Sequence, residues 1–380
     1  MTKPSTIVTK FILLIGLLFV TCEFFIYFPA QLACKWPEVA SGQDVSALQV
    51  MFLADTHLLG DRLGHWFDKL RREWQMQRSF QTAVMLFQPD AVFILGDVTD
   101  EGKWENQEQF NETMARFAKM FSVPDYVELH VVAGNHDIGF HDYVHRGRLQ
   151  RFQERFSLQA VKVIHMQDIV FVLVNSMAFH GDHCTMCSEA AQQLKKVSEQ
   201  LNCSRYQSAS GKQTTRDQNK CRKYETLPNV KPVLLQHFPM YRESDVSCHG
   251  PDAPPDEEKV TLHRVKMDVL SKEASDLQLS LLQPRIVLSG HTHHGCYVEH
   301  SQGTPEISVP SFSWRNRNNP SFILATITKE DFVWNKCFLP EESTVINIYM
   351  VGSVIIILWL LIAVINHIRQ AQRENKGKME

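Results

Sequence analysis

Short, unbroken runs of apolar residues recur along the chain, and several of them stop at a polar or ionisable residue. The run over residues 50–54 stops at Asp55, and the run over residues 91–95 stops at Gly96 and Asp97. Runs of this length, rich in Val, Ile and Leu, predict strands that are buried on both faces. Because ligands bind beyond the carboxyl ends of such strands, the polar residues at those ends become candidate site residues.

Longer stretches with apolar residues at near-helical spacing separate the first predicted strands. They predict helices over residues 68–87 and 104–121. Strands that alternate with helices are typical of an α/β sandwich, which is the fold class we predict. The predicted strands cover residues 50–54, 91–95, 129–133, 168–174, 232–236, 285–289, 306–309, 322–328 and 331–334.

Two apolar segments flank this region, and each predicts a transmembrane helix. Residues 11–28 and 345–365 are long and apolar enough to cross a bilayer. Glu23 is an unusual residue within such a span. The first segment could instead be a signal peptide, but no pair of small residues marks a cleavage site after it, which favours a membrane anchor.

Basic residues set the predicted orientation of these spans. Lys3 and Lys10 precede the first span, and the positive-inside rule places residues 1–10 and 366–380 in the cytosol. Residues 30–343 then form one domain in the secretory lumen or outside the cell. The basic residues after the second span are Arg369, Arg373, Lys376 and Lys378.

The cysteines agree with a lumenal domain. Eight of the nine lie between the two spans, and an even number suits disulfides in an oxidising compartment. Residues 180–225 are polar and hold four of them, which predicts a Cys-bearing insertion stapled by disulfides. The pair Cys184 and Cys187 leaves a zinc site as the alternative. Asn111 and Asn202 begin glycosylation sequons and predict a glycoprotein.

The charge of the chain argues against one class of partner. The sequence has 39 Lys and Arg against 42 Asp and Glu, a formal net charge of -3, with no basic tail or stripe. A nucleic-acid partner is therefore not expected.

Five of the predicted strands end in residues that commonly bind metal ions. Carboxylate, amide oxygen and imidazole together suit Mn, Fe or Zn rather than a thiolate site. Each ending alone is an ordinary loop feature, but five in order form a specific pattern. Seven ligands are too many for one ion and suit two ions that share a carboxylate. The candidate ligands are Asp55, His57, Asp97, Asn135, His237, His291 and His293.

The motifs that contain these residues resemble those of the calcineurin-like metallophosphoesterase superfamily. The resemblance spans about residues 48–334 and implies a four-layer α-β-β-α sandwich, here with a transmembrane helix at each end. The motifs are Asp55-x-His57, Gly96-Asp97-x-x-Asp100, Gly134-Asn135-His136-Asp137, His237 and Gly290-His291-x-His293.

The resemblance divides the ligands between two divalent ions and makes Asp97 the bridge. By the family pattern the first ion takes Asp55, His57 and His293. The second ion takes Asn135, His237 and His291. Mn is the metal that the resemblance favours, with Zn and Fe as alternatives.

The resemblance also implies two catalytic residues. His136 would be the general acid that protonates the departing alkoxide, and Asp100 would hold the His136 ring. The alternative role for Asp100 is to cap the following helix. Glu101 stands where protein phosphatases of this superfamily have an Arg that grips the phosphate. A carboxylate there would repel a monoester more than a diester, so we expect a preference for diesters.

Within the superfamily, the spans and the start Asp55–Gly60 are similar to a membrane-anchored branch that acts on glycosylphosphatidylinositol (GPI) anchors. The resemblance implies a phosphodiesterase that removes ethanolamine phosphate from the second mannose of the glycan. This activity would support GPI-anchor remodelling and export of GPI-anchored proteins from the endoplasmic reticulum (ER). The protein would reside at ER exit sites, the ER–Golgi intermediate compartment and the Golgi.

The end of the chain is similar to a retrieval signal. Lys376 and Lys378 lie fifth and third from the end, as in a dilysine signal that is read by coat machinery. The alternative is a basic tail that only sets topology. Two other functions stay open: a membrane-bound phosphodiesterase for soluble nucleotides or phospholipid headgroups, and a non-catalytic metal-bound receptor. The complete ligand set argues against the receptor.

Overall fold

The part of the chain between the two terminal helical segments folds into two β-sheets stacked face to face. The structure, a computed structural model, describes residues 4–39, 46–181, 184–208 and 221–377. The strands are β1 Leu48–Leu53, β2 Ala91–Ile94, β3 Glu128–Val131, β4 Val161–Met166, β5 Ile169–Val174, β6 Val233–Gln236, β7 Ile286–Ser289, β8 Cys296–Glu299, β9 Pro305–Ser308, β10 Ser321–Ile327 and β11 Phe332–Phe338. The first sheet has the order β11-β10-β1-β2-β3, and the second has the order β4-β5-β6-β7-β9-β8.

The helices lie outside the sheets and at the two ends of the chain. A π-helical turn, Thr21–Phe25, joins the first two. The helices are α1 Pro4–Val20, α2 Tyr27–Leu32, α3 Trp66–Phe87, α4 Gln107–Met120, α5 Asn135–Ile138, α6 Arg146–Phe156, α7 Thr185–Ser208, α8 Asp256–Lys259, α9 Lys272–Leu282 and α10 Glu342–Gly377.

Alternating side chains of β1 show how the layers pack. Val50 and Phe52 belong to the core between the sheets, whereas Met51 and Leu53 belong to the core under the helices. This alternation follows from the two-residue repeat of a strand, and both faces are apolar because both are covered. Helices α3 and α4 cover the first sheet, and α7 and α9 cover the second. The predicted α-β-β-α sandwich is confirmed.

The segment 180–225 contains more regular structure than its polar composition indicated. Helix α7 spans most of its described part and buries Ala190, Leu194 and Leu201 against the second sheet. This part is therefore a layer of the sandwich. Residues 209–220 lie outside the described residues. Two strands, β4 and β8, were missed because polar residues interrupt their apolar positions.

The disulfides predicted from the cysteine count are confirmed. The bonds are Cys34–Cys337, Cys184–Cys187, Cys203–Cys221 and Cys248–Cys296. Cys184 and Cys187 are thus bonded to each other, while His141 Nδ1 lies 3.9 and 3.8 Å from their sulfur atoms. The first bond fastens the end of the N-terminal helical segment to β11.

The two terminal helical segments are apolar and pack side by side. The segments Pro4–Leu32 and Glu342–Arg373 have the length and composition to cross a membrane. Glu23 accepts a hydrogen bond from the Tyr349 hydroxyl at 2.5 Å, which gives this carboxylate a partner inside the pair. Of the predicted retrieval signal, Lys378 lies outside the described residues.

The parallel strands bring their carboxyl ends to one edge of the sandwich. In the first sheet Leu53 pairs with Ile94, and Ile94 with Val131. In the second sheet β5, β6 and β7 are also parallel to one another. The loops that follow these strands therefore meet at the same edge, where the candidate ligands lie.

Candidate metal centre

The structure brings all seven candidate ligands together at this edge. Each follows the strand end predicted for it: one pair after β1, one residue each after β2, β3 and β6, and one pair after β7. The ligand atoms form two separate groups, each with atoms within 4.8 Å of one another: Asp55, His57 and His293, and Asp97, His237 and His291. A third group of the same size, His57, Asp97 and His136, links them.

The first half-site consists of Asp55, His57 and His293. The Nε2 atoms of His57 and His293 lie 3.1 Å apart. The Asp55 Oδ1 atom lies 3.7 Å from His57 Nε2 and 3.6 Å from His293 Nε2. All three ligand atoms therefore face one common point.

The second half-site consists of Asn135, His237 and His291. The Asn135 Oδ1 atom lies 3.0 Å from His237 Nε2, and His291 Nδ1 lies 3.2 Å from the same nitrogen. The side chain of His237 is fully buried. Its other nitrogen, Nδ1, donates to the Leu95 carbonyl at 2.8 Å, which leaves Nε2 as the atom that can bind a cation.

Asp97 lies between the two half-sites. Its Oδ2 atom is 3.5 Å from His57 Nε2 and 3.2 Å from His237 Nε2, so one oxygen faces both. The backbone amide of His136 donates to Oδ1 at 2.7 Å and fixes the orientation of the carboxylate. Burial alone would raise the pKa of Asp97, but His237, His136 and His57 hold it well below its usual range. The carboxylate is therefore ionised and suited to bridge two cations.

The donor set fits two divalent ions. Ligand atoms at about 2.1 Å from one ion lie about 3.0–3.4 Å apart in octahedral or tetrahedral arrangements. The His57–His293, Asn135–His237 and His237–His291 distances match this spacing, and the two distances from Asp55, 3.6 and 3.7 Å, are slightly longer. Pairs of ring nitrogens that face each other at 3.1 and 3.2 Å are also placed as co-ligands of one cation would be.

Sharp turns position these ligands, and they require unfavourable backbone conformations. Ten non-glycine residues of the described chain have positive φ, and five of them are candidate ligands. Such left-handed conformations are uncommon for non-glycine residues and concentrate at functional sites. Gly96 has φ +89°, and a Cβ atom there would lie 2.5 Å from His237 Nδ1. Gly96 thus permits the close approach of two ligand loops.

The four histidines of the half-sites fall into two electrostatic types. Burial alone would lower the pKa of His57, but hydrogen bonds to Asp100 and Asp55 raise it to about 10. Burial alone would also lower the pKa of His237, but the negative charge of Asp97 raises it to about 9. Burial lowers the pKa of His291 to about 4 and that of His293 to about 3. Each half-site therefore pairs a proton-holding imidazole with a neutral one.

Asp100 supports a different histidine more closely than the resemblance implied. Its Oδ1 atom lies 3.0 Å from His57 Nδ1 and 3.4 Å from His136 Nδ1. His136 Nδ1 instead lies 2.8 Å from the Asp100 backbone carbonyl. The alternative role as a helix cap does not apply, because Asn106 caps α4. Asp100 therefore orients a ligand of the first half-site and borders the candidate acid.

The expectation for Glu101 was wrong. The residue is 2 % exposed, and its carboxylate accepts hydrogen bonds from the backbone amides of Arg62 at 2.9 Å and Leu63 at 2.6 Å. The side chain is thus used to hold the loop that precedes α3, and it does not face the metal centre. The predicted preference for diesters receives no support from this residue.

Sequence reasoning missed two cationic side chains at the site. Arg315 Nη2 lies 3.4 Å from Asp100 Oδ2, and Lys103 Nζ lies 3.4 Å from His136 Nδ1. Lys103 could have been noticed from its position three residues after Asp100. Arg315 follows no predicted strand end, so its place at the site depends on the tertiary structure.

Asp137 has a structural role within its motif. Its carboxylate accepts hydrogen bonds from the Thr99 and Gly134 backbone amides, each at 2.9 Å, and so connects the loops after β2 and β3. Burial and the charge of Asp97 raise its pKa to about 6.

Comparison with known proteins gives a consistent result. Residues 48–295 match the family described as calcineurin-like phosphoesterase. A protein named Metallophosphoesterase 1 from Pongo abelii is 50 % identical over 93 % of this chain and 89 % of its own length. The protein of the same name from Gallus gallus is 48 % identical over 94 % and 90 %, respectively.

The match to solved structures is low in both sequence identity and TM-score. A dimetal phosphatase from Danio rerio is 11 % identical, with a TM-score of 0.45, over 78 % of this chain and 99 % of that protein. The assignment depends on the family match and the curated relatives instead. The chain belongs to the calcineurin-like phosphoesterase family, whose members use a dinuclear metal centre, and is a metal-dependent phosphoesterase.

Proposed function

We propose that this chain is a membrane-anchored phosphodiesterase that removes ethanolamine phosphate from the glycan of GPI anchors. By resemblance, the ester cut is the one on the second mannose, and Mn is the metal used. The proposal places residues 30–343 in the lumen of the early secretory pathway. GPI-anchored proteins are the proposed substrates.

The observation that carries the proposal is the dipeptide of Trp314 and Arg315. Trp314 packs with Tyr27 and Val345, which belong to the two terminal helical segments, and its Nε1 donates to the Pro340 carbonyl at 2.9 Å. The next residue, Arg315, reaches Asp100 beside the first half-site. The metal centre therefore lies next to the point where the two apolar helices enter the domain. A phosphate ester held at a membrane surface suits that position.

The bound ions would supply an activated water and Lewis-acid stabilisation of the phosphate oxygens. The two half-sites and Asp97 would hold them. His136 is proposed to donate a proton to the leaving alkoxide, a contribution of about 10²–10⁴-fold for a poor leaving group. Its side chain is 30 % exposed, so a substrate can reach it. The cationic Arg315 and Lys103 would attract the phosphate to this side of the centre.

A further part of the proposal concerns traffic. We propose cycling between the Golgi and the ER through Lys376 and Lys378, read by coat machinery. A variant with both lysines changed to Ser is expected to reach the cell surface. Unchanged retention in the early secretory pathway would leave the tail with a role in topology only.

Product analysis on the purified full-length protein tests the activity. With Mn present, it should release phosphoethanolamine from a GPI-anchored protein and leave free nucleotides intact. Turnover of nucleotides without release from the GPI substrate would favour the soluble-substrate alternative. Absence of hydrolysis with every diester, together with tight metal binding, would favour the receptor.

A His136→Gln variant sharpens the test. Loss of turnover should be large with the ethanolamine phosphate ester and smaller with bis(p-nitrophenyl) phosphate, because p-nitrophenolate leaves without proton assistance. His165→Gln on the exposed side of β4 is the matched control and should behave as the unchanged protein. Equal losses with both substrates would contradict the role as general acid.

A further inference from the structure

Four apolar side chains stand exposed around the start of α3. Leu63 is 59 % exposed, Trp66 69 %, Phe67 55 % and Leu70 59 %. We call these four residues the apolar turn. Exposed apolar residues are common singly, but a cluster with Trp and Phe marks an interaction surface.

The direction of α3 places the apolar turn relative to the N-terminal apolar segment. Near the middle of the helix, Trp74 Nε1 donates to the Glu23 carbonyl at 3.2 Å. Further along, Gln31 Nε2 donates to the Ser79 carbonyl at 3.1 Å. Residue numbers therefore rise in the same direction along both segments. The start of α3 extends towards the side on which α1 leaves the domain.

The second apolar helix begins beside the first turns of α3. Arg71 and Arg72 of α3 lie 3.2 and 3.5 Å from the Glu342 carboxylate, at the first residue of α10. Trp66 lies five residues, about 8 Å, before Arg71 along the helix axis. The apolar turn is thus beyond the level at which α10 begins, beside both spans.

We propose that the apolar turn inserts into the lipid–water interface of the membrane that the two terminal helices cross. This inference rests on the membrane anchoring in the proposed function. Trp and Phe favour that interface, and an amphipathic helical turn can lie in it with its apolar face buried. The occupant is therefore lipid rather than a protein partner, because the surface is continuous with two membrane spans.

The contact is expected to be apolar rather than electrostatic. Lys69 Nζ pairs with Asp61 at 2.9 Å, and Arg72 Nε pairs with Asp68 at 3.1 Å. The cations of this region are therefore largely balanced by carboxylates. Binding should depend little on anionic lipid.

The apolar turn is linked to the metal centre by the loop that Glu101 holds. The Arg62 guanidinium lies 5.7 Å from the centroid of the Trp104 ring, and Lys103 Nζ lies 4.7 Å from the same centroid. Lys103 in turn lies beside His136. Insertion of the apolar turn would fix the height of the candidate acid above the bilayer and so position it for a lipid-linked phosphate.

Full-length protein in nanodiscs tests this placement. A fluorophore on Trp66→Cys should be quenched by lipids that carry a nitroxide on the acyl chain near the headgroup. The matched control is Met85→Cys on the same helix, because Met85 is 54 % exposed and lies about 28 Å from Trp66 along the axis. It should not be quenched. Equal, weak quenching at both positions would overturn the inference, whether or not the protein hydrolyses any diester.

Kinetics give a second readout. The triple variant Trp66→Gln, Phe67→Gln and Leu70→Gln should lose about tenfold in turnover of a bilayer-resident diester, because the reacting groups are misplaced. Hydrolysis of soluble bis(p-nitrophenyl) phosphate should be unchanged, and Met85→Gln should affect neither. Loss of both activities in the triple variant would assign the apolar turn to support of the fold. Quenching of Trp66→Cys that disappears only when a protein partner binds would assign it to that partner.

Discussion

The two half-sites of the metal centre use the same ligand chemistry but are held in different ways. In the second half-site, His237 and His291 each bond a backbone carbonyl, of Leu95 at 2.8 Å and of Met267 at 2.7 Å. In the first half-site, His57 is oriented by the Asp100 side chain at 3.0 Å. Backbone support makes the second half-site a property of the fold, whereas the first depends on one carboxylate.

That carboxylate also contacts groups on the substrate side. Asp100 lies within 3.4 Å of both His136 and Arg315. Exposure does not distinguish the half-sites, because each has one buried histidine, His57 or His237, and one half-buried histidine, His293 or His291. The contacts of Asp100 therefore place the first half-site next to the candidate acid and the Arg315 cation, whereas the second is held by the backbone.

The largest expected effect comes from removing what the half-sites share. Asp97→Asn should lower activity by more than the ~100-fold typical of residues that only orient a ligand. It should also weaken the binding of both ions. Metal analysis and kcat/KM measure this. Full occupancy of either half-site in the variant would show that they do not share this bridge.

Asp100→Asn should separate the half-sites. We expect a loss of about 10–100-fold in affinity for the first ion, because His57 loses its orienting carboxylate, with the second ion retained. Titration with metal should then show two unequal sites. Asp125→Asn, at an exposed position remote from the centre, is the control. An equal loss of affinity for both ions would show that Asp100 does not support the first half-site alone.

Metal binding should be pH-dependent in both half-sites. The pKa values of His57 and His237 are raised to about 10 and about 9, so each holds a proton at neutral pH in the metal-free protein. A ligating imidazole must be neutral, so each ion displaces about one proton and its affinity rises about tenfold per pH unit towards pH 9. Calorimetry in buffers of different ionisation enthalpy measures the proton release.

The same raised pKa values affect the stability of the metal-free protein in the opposite sense. A raised folded-state pKa contributes stability that is fully present below the unfolded value of about 6.5. This contribution is lost as the pH rises through the folded values of about 9 and 10. Metal-free protein should therefore unfold more readily at pH 10 than at pH 7, which thermal unfolding can measure.

The smallest effect is expected at Arg315. Its side chain is 36 % exposed, so its charge is partly screened by solvent. Arg315→Gln should raise KM for an anionic diester by about tenfold or less and leave metal content unchanged. Arg317→Gln, whose guanidinium reaches the His293 carbonyl at 3.1 Å, is the comparison variant. A loss of metal with Arg315→Gln would place Arg315 among the supports of the first half-site.

Much of the sandwich could be predicted from local patterns. The apolar runs that became β1, β2 and β5 were found because strands covered on both faces are apolar throughout. Strand β4 and helix α7 were missed, since each is covered on one face only and carries many polar residues. Burial on one face is decided by neighbours that are distant in sequence.

The site shows the same division between local and distant information. His57 and His293 were recognised from short motifs, yet their contact joins residues 236 positions apart. The true partner of Glu101 could not be predicted, because the Arg62 and Leu63 amides lie in a loop with no motif. Arg315 lies at the site in a segment whose Trp314 packs against the terminal helices, a contact that no local motif marks.

The order of residues along this chain was enough to determine the fold class, the ligand types and the apolar ends, since each follows from a continuous run or a short motif. Folding alone decided which carboxylate supports which imidazole, where Glu101 points and which cations border the acid. Those features depend on side chains that meet across the sandwich, and no local pattern encodes a contact between segments hundreds of positions apart.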